Sequence, residues 1–196
     1  MSTSSTPRRR GSERTLELLD VTLALAEEVG YRGLTVEAIA RRAGVGKHTI
    51  YRRWPTIADL LLDALNHVWS SELNYRSQGA IRADLREQFL RSSYALSHAP
   101  LGPIYRAVIA AAQSDESLRG AIHSRFLKTV EESTLERISL AQQQGQLKSD
   151  ADLAAVVEVL VGSLYYRWLL TDRAIDEGAV DGLIGMFMDA YGESGV

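Results

Sequence analysis

Lys47, His48, Thr49, Tyr51, Arg52 and Arg53 fall within one short stretch of the chain. These residue types share a chemistry. Lys and Arg neutralise phosphates, Thr and Tyr hydroxyls bond phosphate oxygens, and Lys, Arg or His reach base edges in a groove. Crowded onto one helical face, they point to nucleic-acid recognition rather than to bond making.

Such a face needs apolar residues beneath it. Val45, Ile50 and Trp54 fall at positions that plug a seam under a helix about two turns long. Upstream, Val36, Ile39 and Ala40 recur at spacings of three and four, while Glu37, Arg41 and Arg42 face away. Thr35 is an N-cap, because its hydroxyl accepts from an unpaired first-turn amide. Gly44 ends the helix, since it adopts a left-handed conformation without steric cost. Two helices joined through Ala43-Gly44-Val45, the second short and basic, describe a helix-turn-helix whose second helix enters the major groove. Lys47, His48 and Thr49 are then assigned to bases or nearby phosphates, and Tyr51 and Arg52 to phosphates. Arg53 is either a phosphate contact or a solvated charge near a helix end. The plainer alternative for the whole motif is a pair of packed helices with a solvated basic face.

The run G-Y-R-G-L-T-V-E-A-I-A-R-R-A-G-V-G-K-H-T-I-Y-R-R-W-P-T-I-A-D-L, from Gly30 to Leu60, resembles the DNA-binding domain of the tetracycline-repressor (TetR) family. The resemblance extends over Glu13 to Leu65. It implies a three-helix headpiece followed by a larger all-helical ligand-binding and dimerisation domain. It also implies Thr35, Lys47, Thr49 and Tyr51 as DNA-contacting positions, with Val36, Ile39, Val45, Ile50 and Trp54 as headpiece core. Two positions depart from the pattern. Gly46 stands where the family often has a Ser or Thr cap, and Ile57 where a Lys or Arg is common.

Other chemistries fit poorly. Gly44-Val45-Gly46-Lys47 imitates part of a phosphate-binding loop, but Arg41 and His48 occupy the glycine and hydroxyl positions that G-x-x-x-x-G-K-[ST] requires. Di-metal helical bundles use Glu-x-x-His pairs; Val45, Ala64, Ala95 and Gly120 stand three before the histidines instead. There is no cysteine and no Gly-x-Ser-x-Gly. Neither an enzyme nor a metal or cofactor site is expected, and a ligand-independent DNA-binding protein is the nearer rival.

The net charge of −3 conceals an asymmetry: residues 1–55 sum to +4 and residues 56–196 to −7. A basic end on an acidic body is the distribution expected when only one end meets polyphosphate. No run approaches 18 uninterrupted apolar residues, and the first fifteen lack an apolar stretch, so neither a membrane span nor a secretory signal is expected. A cytoplasmic location follows as an expectation.

Residues 1–12, with Arg8-Arg9-Arg10, read as a disordered basic arm, either reaching a minor groove or adding nonspecific attraction. Residues 13–55 form the headpiece and 56–196 the body. About nine helices and no strand give an all-α fold. The first helix, Glu13 to Val29, carries Leu16, Leu19, Leu23 and Ala26 on one stripe and ends at Gly30. Thr56 caps the fourth with Asp59 in the capping-box position. Body helices follow at about 81–97, 101–113, 116–143, 150–170 (capped by Ser149) and 176–190. The last two are apolar beyond one stripe, and Gly162, Gly182 and Gly185 permit close approach. They read as an internal core or as a homodimer surface, and two-fold symmetry then predicts a palindromic operator. Trp69, Tyr94, Tyr105, Phe126, Tyr165 and Trp168 are candidates for an effector pocket, which implies a small apolar or aromatic ligand. Tyr166, His67, His98 and His123 are weaker candidates.

Overall fold

The computed structural model describes residues 6–73, 75, 79–171 and 173–193. The chain is all-helical: α1 (Thr6–Gly33), α2 (Val36–Ala43), α3 (Lys47–Tyr51), α4 (Ile57–Leu73), α5 (Ile81–Ser97), α6 (Leu101–Ala112), α7 (Glu116–Ile122), α8 (Lys128–Gln143), α9 (Leu153–Leu170) and α10 (Glu177–Tyr191). A π-helical turn, His123–Leu127, stands between α7 and α8. The single long helix expected over 116–143 is therefore divided. Among the described residues the only pairing of extended backbone is an isolated antiparallel bridge, Leu147 to Gly192.

Local sequence explains most boundaries. Gly30 breaks α1 by adopting φ 70° and ψ 169°. Thr35 Oγ1 accepts from Ala38 N at 3.2 Å and starts α2, which ends where Gly44 turns left-handed at φ 63°. Thr56 and Asp59 form the expected reciprocal box: Asp59 N donates to Thr56 Oγ1 and Thr56 N to Asp59 Oδ2, both at 3.1 Å.

Three expectations need correction. The backbone of residues 6–12 continues α1, so the proposed arm is helical over that part; residues 1–5 and the side chains of Arg8 to Arg10 lie outside the description. Arg has a good helix propensity, and the amphipathic stretch downstream supplies the nucleus. Leu16 is 39% exposed, and the buried stripe runs instead through Leu18, Leu19, Thr22, Leu23, Leu25 and Ala26. Asp152, not Ser149, caps α9 by accepting from Ala154 N and Ala155 N.

The helices group into two compact units. The first holds the chain through Val68 together with Ala99–Phe126, so much of α4, with α6 and α7, belongs with the headpiece. Packing of α6 on α1 and of α7 on α6 accounts for this. The second holds Trp69–His98 and the chain from Leu127 onward.

In the second unit α5 packs on α10, α8 and α9 around Leu85, Phe89, Ile138, Val156, Leu160 and Ile184. This core encloses one ion pair. Asp84 (1% exposed) accepts from Arg137 Nε (residue 5% exposed) at 2.6 Å. Beside it, the Tyr75 hydroxyl donates to Thr134 Oγ1 at 3.3 Å, and burial pushes that phenol up to about 12.

Among the described residues, the other side of α9 and α10 is left exposed. Val159 (63%), Tyr166 (60%), Leu170 and Met186 (67%) are exposed. Val159, Tyr166 and Met186 border an apolar groove of about 720 Å³ that also takes in Gly162, Gly182 and Leu183. A Cβ added at Gly162, Gly182 or Gly185 would meet nothing within 4 Å, so these glycines mediate no close approach within the chain. By length and a mean hydropathy of 1.5 alone, the helix Leu153–Leu170 is apolar enough to cross a membrane, a test that the core helix of a soluble protein also passes. It carries Glu158 and Arg167, and its inner face is built into the core through Val156, Val157, Leu160 and Leu164.

Removing one member of a buried ion pair strands the other charge, at a cost of about 3–5 kcal/mol, whereas replacing both with apolar residues is often neutral. Asp84→Ala should therefore lower the unfolding free energy by that amount in urea titration. The double variant Asp84→Leu/Arg137→Met should recover most of it. A double variant no more stable than the single would show that the pair is not the source.

Candidate nucleic-acid interface

The helix α3 is five residues long and starts without a side-chain cap, because Gly46 has no hydroxyl to offer. Thr49 N instead closes a tight turn on Gly46 O at 2.9 Å. Arg52, Arg53 and Trp54 amides continue the winding onto His48 O and Ile50 O. Burial holds the segment in place. Ile50 is 1% and Trp54 2% exposed, and α3 packs on α2, whose Ile39 and Ala40 are buried too. Val45 is half-buried.

With Ile50 and Trp54 inward, the helical period turns the remaining positions out. Lys47, His48, Thr49, Tyr51 and Arg52 are all exposed, and so is Thr35 at the start of α2. Thr35 Oγ1 is already the cap acceptor, which leaves its O–H as the group available to an outside acceptor.

The cations do not all stand alone. Lys47 Nζ donates to Glu37 Oε1 at 2.8 Å, which holds the Glu37 carboxyl below its usual range and the Lys47 ammonium above. Arg42 is paired in the same way with Glu28, whose carboxyl it lowers. Arg53 is tied back into the headpiece: its Nη1 donates to Thr15 Oγ1 at 2.6 Å, and its guanidinium lies 4.9 Å from the Trp54 ring centroid. Arg53 remains exposed in this placement. Trp54 in turn donates from Nε1 to Asp63 Oδ2 at 2.7 Å. These partners (Glu28, Glu37, Thr15 and Asp63) were not among the sequence candidates, since each lies at least nine residues from the group it meets.

The effector candidates divide between the units. In the first, Tyr105 (0% exposed) and Phe126 (1%) pack with ring centroids 4.5 Å apart. In the second, Trp69 and Trp168 are buried, and Tyr165 meets Trp168 edge-on at 5.9 Å. Tyr94 is 67% exposed and stacks on His98 at 4.0 Å. His67, His98 and His123 are exposed as well.

Comparison with known proteins agrees with this geometry. Residues 18–64 match the family of bacterial regulatory proteins, tetR family, and residues 76–187 match the tetracyclin repressor-like C-terminal domain. The HTH-type transcriptional regulator AqdR of Rhodococcus erythropolis is 31% identical over 83% of this chain and 79% of its own length. The DNA-binding transcriptional repressor TetR of Mycobacteroides abscessus is 29% identical over 82% of this chain and 85% of its own. Among solved structures, the TetR family transcription regulator SCO0332 superposes with a TM-score of 0.82 at 32% identity, covering 90% of this chain and 97% of that one. An α-helical chain with an outward basic reading helix, matched over both its N- and C-terminal portions, belongs to the TetR family of helix-turn-helix transcriptional regulators.

Proposed function

We propose that this regulator is a homodimeric repressor that binds a palindromic operator and is released from it by a small, largely apolar or aromatic effector. The observation that carries the reading is the split of the segment 47–54 into buried Ile50 and Trp54 and exposed Lys47, His48, Thr49, Tyr51 and Arg52. Lys47, His48 and Thr49, at the start of the helix, read bases or adjacent phosphates. Tyr51, Arg52 and Thr35 bind backbone phosphates. Arg53, committed to Thr15 and Trp54, has a positioning part. A cytoplasmic setting accords with chromosomal DNA as the partner.

Two further features support the reading. The exposed apolar face of α9 and α10 suits a second copy of the chain, and a two-fold axis there would present two reading helices to two half-sites. Buried aromatic residues in each unit, Tyr105 and Phe126 in one, Trp69, Tyr165 and Trp168 in the other, suit an apolar ligand. Such a ligand weakens DNA binding only if it prefers the DNA-incompetent state.

The direct test is selection of duplexes from a random pool, followed by fluorescence anisotropy at one stated salt concentration. A base contact contributes about 1–3 kcal/mol of discrimination. Lys47→Ala and His48→Ala should therefore change which duplexes are selected. Tyr51→Phe and Arg52→Gln should weaken all duplexes alike, and only Arg52→Gln should flatten the salt dependence, by about one counterion. Equal effects of all four on selected and random DNA would remove the division of labour.

Val159→Asp and Met186→Asp place charges on the α9–α10 face without touching the core. Sedimentation should then report monomer, and affinity for a full palindrome should fall to that of a half-site. A dimer that survives both substitutions would place the interface elsewhere.

By linkage, a compound that raises the thermal midpoint of the free protein and lowers operator affinity should itself bind more weakly to the operator complex, by the same factor. Phe126→Ala should reduce both effects together. Aromatic compounds that stabilise the protein but leave operator affinity unchanged would count against release by effector.

A further inference from the structure

Arg125 lies in the π-helical turn His123–Leu127, the penultimate residue of the first unit before the chain passes to the second at Leu127. A π turn inserts an extra residue into helical winding and often marks a functional position. Here it aims one guanidinium at two carboxylates one turn apart on α4. Arg125 Nε lies 2.7 Å from Asp59 Oδ1, and Nη1 lies 3.0 Å from Asp63 Oδ1. The second oxygen of each carboxylate is committed to the DNA-reading end. Asp59 Oδ2 accepts from Thr56 N and, at 2.8 Å, from Thr56 Oγ1; Asp63 Oδ2 accepts from the Trp54 indole at 2.7 Å. Trp54 is the buried anchor of α3 and supports the Arg53 guanidinium.

We propose that Arg125 is a positioning residue for DNA reading: it fixes Asp59 and Asp63, and through them Trp54 and the C-terminal end of the reading helix. The proposal rests on α3 being the DNA-contacting helix. Geometry makes the role specific to arginine, because a planar fork spans two acceptors where an ammonium serves one point. Phe126, next in the chain, packs on Tyr105, so the same turn is anchored in the apolar interior on one side and in the headpiece on the other. A movement of that ring pair would be felt at Arg125 first.

The test uses the full chain in the variants Arg125→Gln, Arg125→Lys and Asp63→Asn, with two readouts. Hydrogen exchange of the unliganded protein should quicken at the amides of Arg52, Arg53 and Trp54 by about tenfold in Arg125→Gln, the size expected for losing one charge-assisted bond. Exchange at Ile39 to Ala43 on α2 should stay within about twofold of the parent. Affinity for duplexes selected by the parent protein should fall by a similar factor, and affinity for random duplexes should fall with it, because the C-terminal end of α3 carries the phosphate contacts. Arg125→Lys should fall between the parent and Arg125→Gln. Asp63→Asn, which retains an acceptor for the indole, gives a second route if Arg125→Gln does not fold. Exchange rising equally in α2 and α3 would mean a general structural role and overturn the proposal. So would unchanged affinity for selected duplexes. Should the parent select no sequence at all, the reading of α3 fails, and local exchange still decides whether Arg125 positions that helix.

Discussion

A helix of five residues has no stability of its own, because nucleation costs more than so few hydrogen bonds return. The segment Lys47–Tyr51 persists because Ile50 and Trp54 are buried beneath it. That burial governs the headpiece. It fixes the rotation of the helix, and the rotation decides which side chains face outward. It also explains why the α2–α3 turn needs Gly44 in a left-handed conformation: a wider loop would carry Ile50 away from its seat. The polar contacts around Trp54 serve the same end, since an indole N–H buried without an acceptor would oppose the packing.

The second unit is built on a different constraint. The inner faces of its helices close around a continuous core that holds the buried ion pair of Asp84 and Arg137. A core of aliphatic side chains tolerates sliding of one helix on another. A buried charge pair does not, and Arg137, whose Nε and Nη2 both close on Asp84 Oδ2, ties α8 to α5 at that point. Outside that core, α9 and α10 keep an apolar surface that one copy of the chain leaves open. Contiguous exposed apolar surface of this kind marks interaction sites in soluble proteins.

The parts legible in the sequence were those whose determinants lie within about one helical turn. Thr35, Gly44, and Thr56 with Asp59 declared themselves by local hydrogen-bonding chemistry. The amphipathic period likewise separated Ile50 and Trp54 from Lys47, His48, Thr49, Tyr51 and Arg52. The sequence pattern places the cap of α9 at Ser149, but the apolar helix starts only at Leu153, which puts Asp152 in the capping position. The π turn was illegible because its extra residue leaves the composition of the helix unchanged. Arg125 with Asp59 and Asp63, Lys47 with Glu37, and Arg53 with Thr15 all depend on how helices meet. No spacing along the chain records that.

The acid partner of Lys47 bears on how this interface would report itself in solution. In the unliganded protein the ammonium is already neutralised by Glu37. A phosphate that takes the place of that carboxylate exchanges one anion for another on the same lysine. The displaced carboxylate then recruits a cation from the medium and offsets part of the counterion release that DNA provides. Arg42, held by Glu28, behaves alike where it meets a phosphate. The ionic-strength dependence of such a protein therefore understates the number of its cations in contact with DNA, and the shortfall counts the internal pairs that have opened.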